Sequence, residues 1–137
     1  MPKYVVAKLE QALDREQKVS LGSASVLILG LAYKKNVSDI RESPSFELME
    51  LLEKRGASVS FHDPLAPVVP VTREHAAFAG RCSADLTPAA LEGFNAVVVA
   101  TDHDSIDYRL VAAHSRLVVD TRNVFARKGI AGKIFKA

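Results

Sequence analysis

Sulfur is scarce in this chain: Cys82 is its one cysteine. No internal disulfide can form, and a reducing cytoplasm is the expected setting. Long apolar runs are missing too. None approaches the ~20 residues of a membrane span, and Met1-Pro2-Lys3-Tyr4 lacks the apolar core of a signal peptide. Neither sign of charge dominates, since 18 basic against 16 acidic residues leave a formal +2. That is too little to argue for nucleic acid or an anionic membrane as a partner. Repeats, low-complexity tracts and hairpin signals are absent. Glycine is thin where a dinucleotide site would need it: Gly30 stands alone after an apolar run, whereas G-x-G-x-x-G needs three. Metal-ligand spacing is lacking as well. Asp102-His103-Asp104 sits at a strand end, where adjacent side chains diverge, and no second cluster accompanies it. No metal is expected. His62, His75 and His114 are scattered and read as structural or solvent-facing.

What remains is the make-up of one soluble globular domain. The 137 residues, 48% hydrophobic and 25% charged, suffice for a real core. The stretch from Leu29 to Ser43 organises the rest. Val26-Leu27-Ile28-Leu29 reads as a buried strand, Gly30 as the turn after it, and Ser43-Pro44 as an N-cap with proline at the first helical position. Lys34, Lys35 and Arg41 lie on the loop between. A strand, a glycine turn and a helix start place backbone N–H groups at the carboxyl edge of a sheet, where anions are held best. The loop therefore reads as a phosphate- or nucleotide-binding loop, with solvated lysines as the plainer alternative, above all for Lys35. Tyr33 is suited to flank a base or ribose while Lys34 meets a phosphate.

Along the chain, Val5, Val6, Leu9, Ala12 and Leu13 recur at helical spacing between residues 3 and 17. Strands are expected at 25–29, 58–62, 96–100 and 117–120, with one last edge strand around Ile134-Phe135. Helices are expected at 44–55, ended by Gly56, at 72–80, from Thr87-Pro88 through Glu92, capped by Gly93, and at 105–115, capped by Asp104 or Ser105. A short edge segment is expected at 81–85, and Pro64, Pro67 and Pro70 mark irregular chain. Strands alternating with helices imply an α/β fold: a Rossmann-like three-layer domain, with a parallel sheet and helices on both faces, preceded by an N-terminal amphipathic helix.

Ligands of open parallel sheets bind at the carboxyl ends of the strands. Three strands end there in polar groups: Gly30 leading to Tyr33 and Lys34, Ala100 to Asp102-His103-Asp104, and Asp120 to Thr121-Arg122-Asn123. Arg122 is the best second anchor, because a guanidinium holds phosphate bidentately. Asp63, after the second strand, stands where an acid contacts ribose in nucleotide-binding βαβ units. Asp-Pro is also a turn-forming pair, and the missing glycines favour the turn. Arg41 would equally suit an ion pair with Asp39, Glu42 or Glu47. Cys82, between Arg81 and Ser83, reads as an ordinary thiol, and no catalytic residue is expected.

GLAYKKNVSDIRESPS, then ELLEKRGASVSFHDP, VVVATDHDSIDY and VVDTRN, in that order, resemble the C-terminal domain of UDP-glucose/GDP-mannose dehydrogenases across essentially the whole chain. The AYKKN variant is similar to that of members oxidising UDP-N-acetylhexosamines. The resemblance implies an NAD-dependent oxidation of a sugar C6 alcohol to the carboxylate. It also implies that the NAD-binding and catalytic-cysteine domains lie outside this chain, which is expected to be inactive by itself. Residues 1–20 would be the end of an inter-domain linker helix and residues 21–137 the UDP-sugar-binding domain. Tyr33, Lys34 and Arg122 would contact the UDP-sugar, with Asn123 as the alternative to Arg122, and Arg41 would reach NAD. The implied partners are the UDP-sugar, the remaining domains and a second copy in a homodimer. A stand-alone binding or interaction module is the competing expectation.

Overall fold

The structure, a computed structural model, describes residues 2–40, 43–71 and 76–137. Helix α1 (Pro2–Gln17) opens the chain, and β1 (Ser25–Leu29) follows a 3-10 turn at Leu21–Ser23. Then come α2 (Pro44–Lys54), β2 (Ser58–His62), a 3-10 turn at Ala76–Phe78, and α3 (Pro88–Gly93). The order is completed by β3 (Ala96–Val99), α4 (Tyr108–His114), β4 (Val118–Asp120), α5 (Val124–Arg127) and β5 (Ile134–Lys136).

The five strands form one sheet in the order β2-β1-β3-β4-β5, and every pairing is parallel. Val97 and Val99 face one side of β3, and Ala96 and Val98 the other; all four are fully buried. A central parallel strand covered on both faces has no solvent side, which is why it reads as an unbroken apolar run. One face packs α1 and α2 through Val5, Leu9, Leu13, Phe46, Met49 and Leu52. The other packs Leu91, Tyr108, Val111 and Phe125 of α3, α4 and α5. These are the three layers the alternation implied.

Local chemistry sets the ends of α2. Ser43 Oγ accepts the N–H of Ser45 at 3.2 Å, Pro44 takes the first helical position, and Gly56 turns the chain out at φ +92°. Three sequence expectations are revised, and one helix is added. The fourth helix starts at Tyr108 rather than Ser105, with Asp107 as its cap, because the His103 ring and the amides of Asp104 and Ile106 are bonded elsewhere. Residues 81–85 form no strand of the sheet; Cys82 makes an isolated antiparallel bridge with Val68. Of the helix expected at 72–80, residues 76–78 are a 3-10 turn, and residues 72–75 lie outside the described residues. The short helix α5 had no counterpart in the sequence reading.

Candidate functional site

The strand order reverses between β1 and β3: from β1 the chain moves to β2 on one side and then returns to β3 on the other. In an open parallel sheet the crevice at such a switch, on the carboxyl side, is where ligands lie. Here it is bounded by the loops after β1, β3 and β4.

The loop after β1 is drawn tight against the β3 end. Gly30 stands at φ +89°, and a Cβ there would lie 2.4 Å from the Thr101 carbonyl oxygen. Only glycine meets both conditions. Thr101 Oγ1 donates to the Ala32 carbonyl at 2.8 Å, and Ser45 Oγ donates to that of Gly30 at 3.1 Å. The backbone amides expected to cradle a phosphate are already taken. Leu31 and Ala32 donate to Asp63 Oδ2 at 2.7 and 3.0 Å, Gly30 to the His62 carbonyl and Tyr33 to that of Asp39. Asp63 is thus the anion in the cradle, fully buried, and also accepts from the amides of Leu65 and Ala66. It makes the turn, and the four amides of Gly30, Leu31, Ala32 and Tyr33 are not available to an external anion.

Side chains surround the rim. Tyr33 is 53% exposed, and Lys34 beside it is exposed; neither side chain has a protein partner among the described residues. Lys35 pairs at 3.7 Å with Asp104, but both are solvent-exposed, so the pair contributes little. After β4, the Asp120 carboxylate accepts the amides of Arg122 and Phe125, at 2.9 and 3.1 Å, and fixes the next loop. Arg122 lays its Nε–H on the Ala100 carbonyl at 2.9 Å. Its two terminal nitrogens donate to nothing among the described residues, so the fork is oriented and vacant. Asn123, the alternative anchor, is exposed at φ +58° with no capping bond from its side chain. A cavity of about 270 Å³ adjoins Arg122 on the α1 and α2 side, lined also by Val5, Pro44, Leu48 and Ala100. The ends of β1 and β4 are two strand spacings apart, roughly 10 Å. Lys34 and Arg122 thus sit on loops that leave strands two places apart in the sheet.

Other acids and bases at the rim are engaged. Asp102 binds Arg127 at 2.5 Å. His103, which the sequence reading left without a role, is fully buried between Asp63 and the Asn36 amide. Asn36 at φ +63° exchanges two hydrogen bonds with Asp104, through Nδ2 to Oδ2 at 2.8 Å and Oδ1 from the amide at 2.9 Å. An Asn in a polar loop, suited to the left-handed region, was the only sequence signal for that pairing. Arg41 lies outside the described residues. Cys82 is exposed and free. Among the described residues no group of three His, Cys, Asp or Glu could hold a metal ion, and no helix is long and apolar enough to cross a membrane.

Comparison with known proteins fits this architecture. The model of the UDP-glucose/GDP-mannose dehydrogenase family, UDP binding domain, matches residues 27–127. The UDP-N-acetyl-D-mannosamine dehydrogenase of Methanococcus maripaludis is 31% identical over 132 residues, covering 90% of this chain and 28% of the relative. The UDP-glucose 6-dehydrogenase of Pseudomonas aeruginosa is 36% identical over 109 residues, covering 74% and 24%. Among solved structures, a UDP-glucose dehydrogenase of Pyrobaculum islandicum superposes with a TM-score of 0.68 at 30% identity, over 98% of this chain and 29% of that one. A UDP-D-ManNAc dehydrogenase of Pyrococcus horikoshii gives 0.73 at 24% identity, over 98% and 30%, a likeness of fold. The chain thus spans under a third of the length of these relatives.

Proposed function

Because the chain belongs to the UDP-glucose/GDP-mannose dehydrogenase family, matching its UDP-binding domain, we propose that Tyr33, Lys34 and Arg122 hold the UDP end of a nucleotide sugar while its C6 alcohol is oxidised. The observation that carries this reading is the Arg122 fork, aimed by one hydrogen bond and otherwise unpaired among the described residues, on the rim that also bears Lys34. Arg122 and Lys34 grip the diphosphate from two sides, and Tyr33 lies against the uridine. Asp63 keeps its turn-forming place and makes no ribose contact.

The contribution of these residues is orientation. A diphosphate fixed at two points restricts where the sugar can swing, and the reacting carbon is delivered to chemistry performed elsewhere in the enzyme. The substrate class is UDP-N-acetylhexosamine or UDP-glucose, on the names of the relatives. In this reading residues 1–20 tie the domain to the rest of the enzyme, and residues 21–137 carry the UDP. The hydride acceptor is NAD. The residues after β1 do not fit a dinucleotide pyrophosphate, since the amides of Leu31 and Ala32 are spent on Asp63. NAD is therefore assigned to other parts of the enzyme, with Arg41 reaching toward it.

Calorimetry with UDP tests the site. Lys34→Ala and Arg122→Ala should each weaken binding by on the order of 1.5–3 kcal/mol, the loss of one charged hydrogen-bonding group. Asn123→Ala should leave affinity within about 0.5 kcal/mol. UDP binding unchanged by both charge deletions would reject the assignment.

A further inference from the structure

Tyr33 and Lys34 have side chains with no partner among the described residues, yet their backbone is pinned on both sides. The pin on the near side is the Tyr33 amide on the Asp39 carbonyl at 2.7 Å. On the far side the Asn36 amide meets His103 Nδ1 at 2.8 Å. A backbone N–H can only donate, so Nδ1 carries no proton. The single proton of the neutral ring is on Nε2, where it is given to Asp63 Oδ2 at 2.9 Å. The carboxylate drawing on Nε2–H makes Nδ1 a better acceptor, as in other carboxylate–imidazole pairs. The ring is held from behind as well, because Tyr108 donates its hydroxyl to the His103 carbonyl at 2.7 Å. A chain of contacts runs from the buried anion, through one imidazole tautomer, to the turn that carries the exposed aromatic and cation.

We propose that His103 is a positioning residue for nucleotide binding: with Asp63 behind it, it fixes the turn that presents Tyr33 and Lys34 to the ligand. The proposal rests on the nucleotide-binding reading of that turn. Its physical content is entropy. An unpartnered loop would be ordered only on binding, at a cost in affinity, whereas a turn already held at Asn36 has met that cost in folding.

Two amide substitutions separate positioning from bulk stability. Asparagine puts its carbonyl oxygen where Nδ1 lies, and glutamine reaches with its amide to the place of Nε2. His103→Asn keeps an acceptor for the Asn36 amide and loses the link to Asp63; His103→Gln does the reverse. Both remove the same ring from the same buried place. Measured by UDP calorimetry on folded protein, H103Q should bind about tenfold more weakly than wild type. H103N should stay within about threefold. Equal losses, or the opposite order, overturn the proposal. Should either variant fail to fold, hydrogen exchange on the wild type decides: the Asn36 amide should be protected relative to those of Lys34 and Lys35, and exchange at their rate overturns it. Lys34→Ala is the control. If that variant loses affinity while the two His103 variants match, the positioning role fails and the nucleotide site stands. If it binds UDP like wild type, the site itself fails and takes the positioning role with it.

Discussion

A carboxylate without solvent access persists at Asp63 because five N–H groups converge on it, four from backbone and one from His103. Burial by itself would raise its pKa. The bond from His103 and those from the amides of Leu31 and Leu65 outweigh that and hold it below the ordinary carboxylate value. A folded pKa below the unfolded ~3.9 means the stabilisation is complete above about pH 4 and is withdrawn as pH falls through the folded value. Asp63→Asn should therefore melt lower than wild type at neutral pH, yet show a shallower fall in Tm between about pH 4 and pH 2. Circular-dichroism melts across that range check it, and parallel slopes would remove Asp63 from the acid response. Gly30 makes the neighbouring demand. Gly30→Ala forces a Cβ onto the Thr101 carbonyl at a left-handed φ. It should cost about 3 kcal/mol or more, read as a lower urea midpoint at constant m. Gly30 was legible from its place after an apolar run. Asp63 was legible only as an acid after a strand, because nothing in the sequence tells a ligand's ribose from the protein's own amides as the partner.

Among the elements, those fixed by periodicity alone were readable, and those fixed by a partner distant in sequence were not. The 3.6-residue recurrence of Val5, Val6, Leu9, Ala12 and Leu13 gave α1, and all five are buried against the face shared with α2. Gln17 and Asn95 then clasp the far end of that helix, through Nε2 to the Asn95 carbonyl at 2.8 Å and Nδ2 to Oε1 at 3.0 Å. The start of α4 was misplaced because the Asp104 amide is captured by Asn36 and the Ile106 amide turns back to the His103 carbonyl. Asp107 inherits the cap. Likewise α5 begins on a carboxylate outside the helix, that of Asp120, a residue the sequence presents as the end of a strand. The burial of α1 makes a measurable claim. Leu9→Ala and Leu13→Ala, both at fully buried positions, should each cost about 2–5 kcal/mol. Leu52→Ala in α2 should fall in the same range, since it lines the same core. Chemical denaturation of the three variants compares them, and near-neutral values for the α1 pair would mean the helix adds nothing to the fold.

For the whole molecule, the division of labour follows from where polar side chains have been spent. The α/β sheet and its carboxyl-side rim could be read from strand ends that lead into Lys34 and Arg122. What could not be read was that the rim's acid and imidazole, Asp63 and His103, are consumed in bonds to each other and to loop amides. Among the described residues, the charged side chains left unpaired at the rim are cations, Lys34 and the terminal nitrogens of Arg122, groups suited to hold an anion rather than to exchange protons with an alcohol. Cys82 lies on the strip bridged to Val68, joined to the loop after the edge strand β2, while Arg122 follows β4 three strands away in the sheet. Oxidising a primary alcohol to an acid requires a base, a hydride acceptor and a means of holding the aldehyde stage. On the proposed reading this chain supplies the grip, and it should bind without turnover. Mixed with NAD and either UDP-glucose or UDP-N-acetylmannosamine, the protein is expected to give calorimetric heats with the nucleotide sugar and no rise in NADH absorbance. Any steady NADH formation that survives repurification and vanishes in Arg122→Ala would mean that catalytic groups reside in this chain, and that positioning is not the whole of its work.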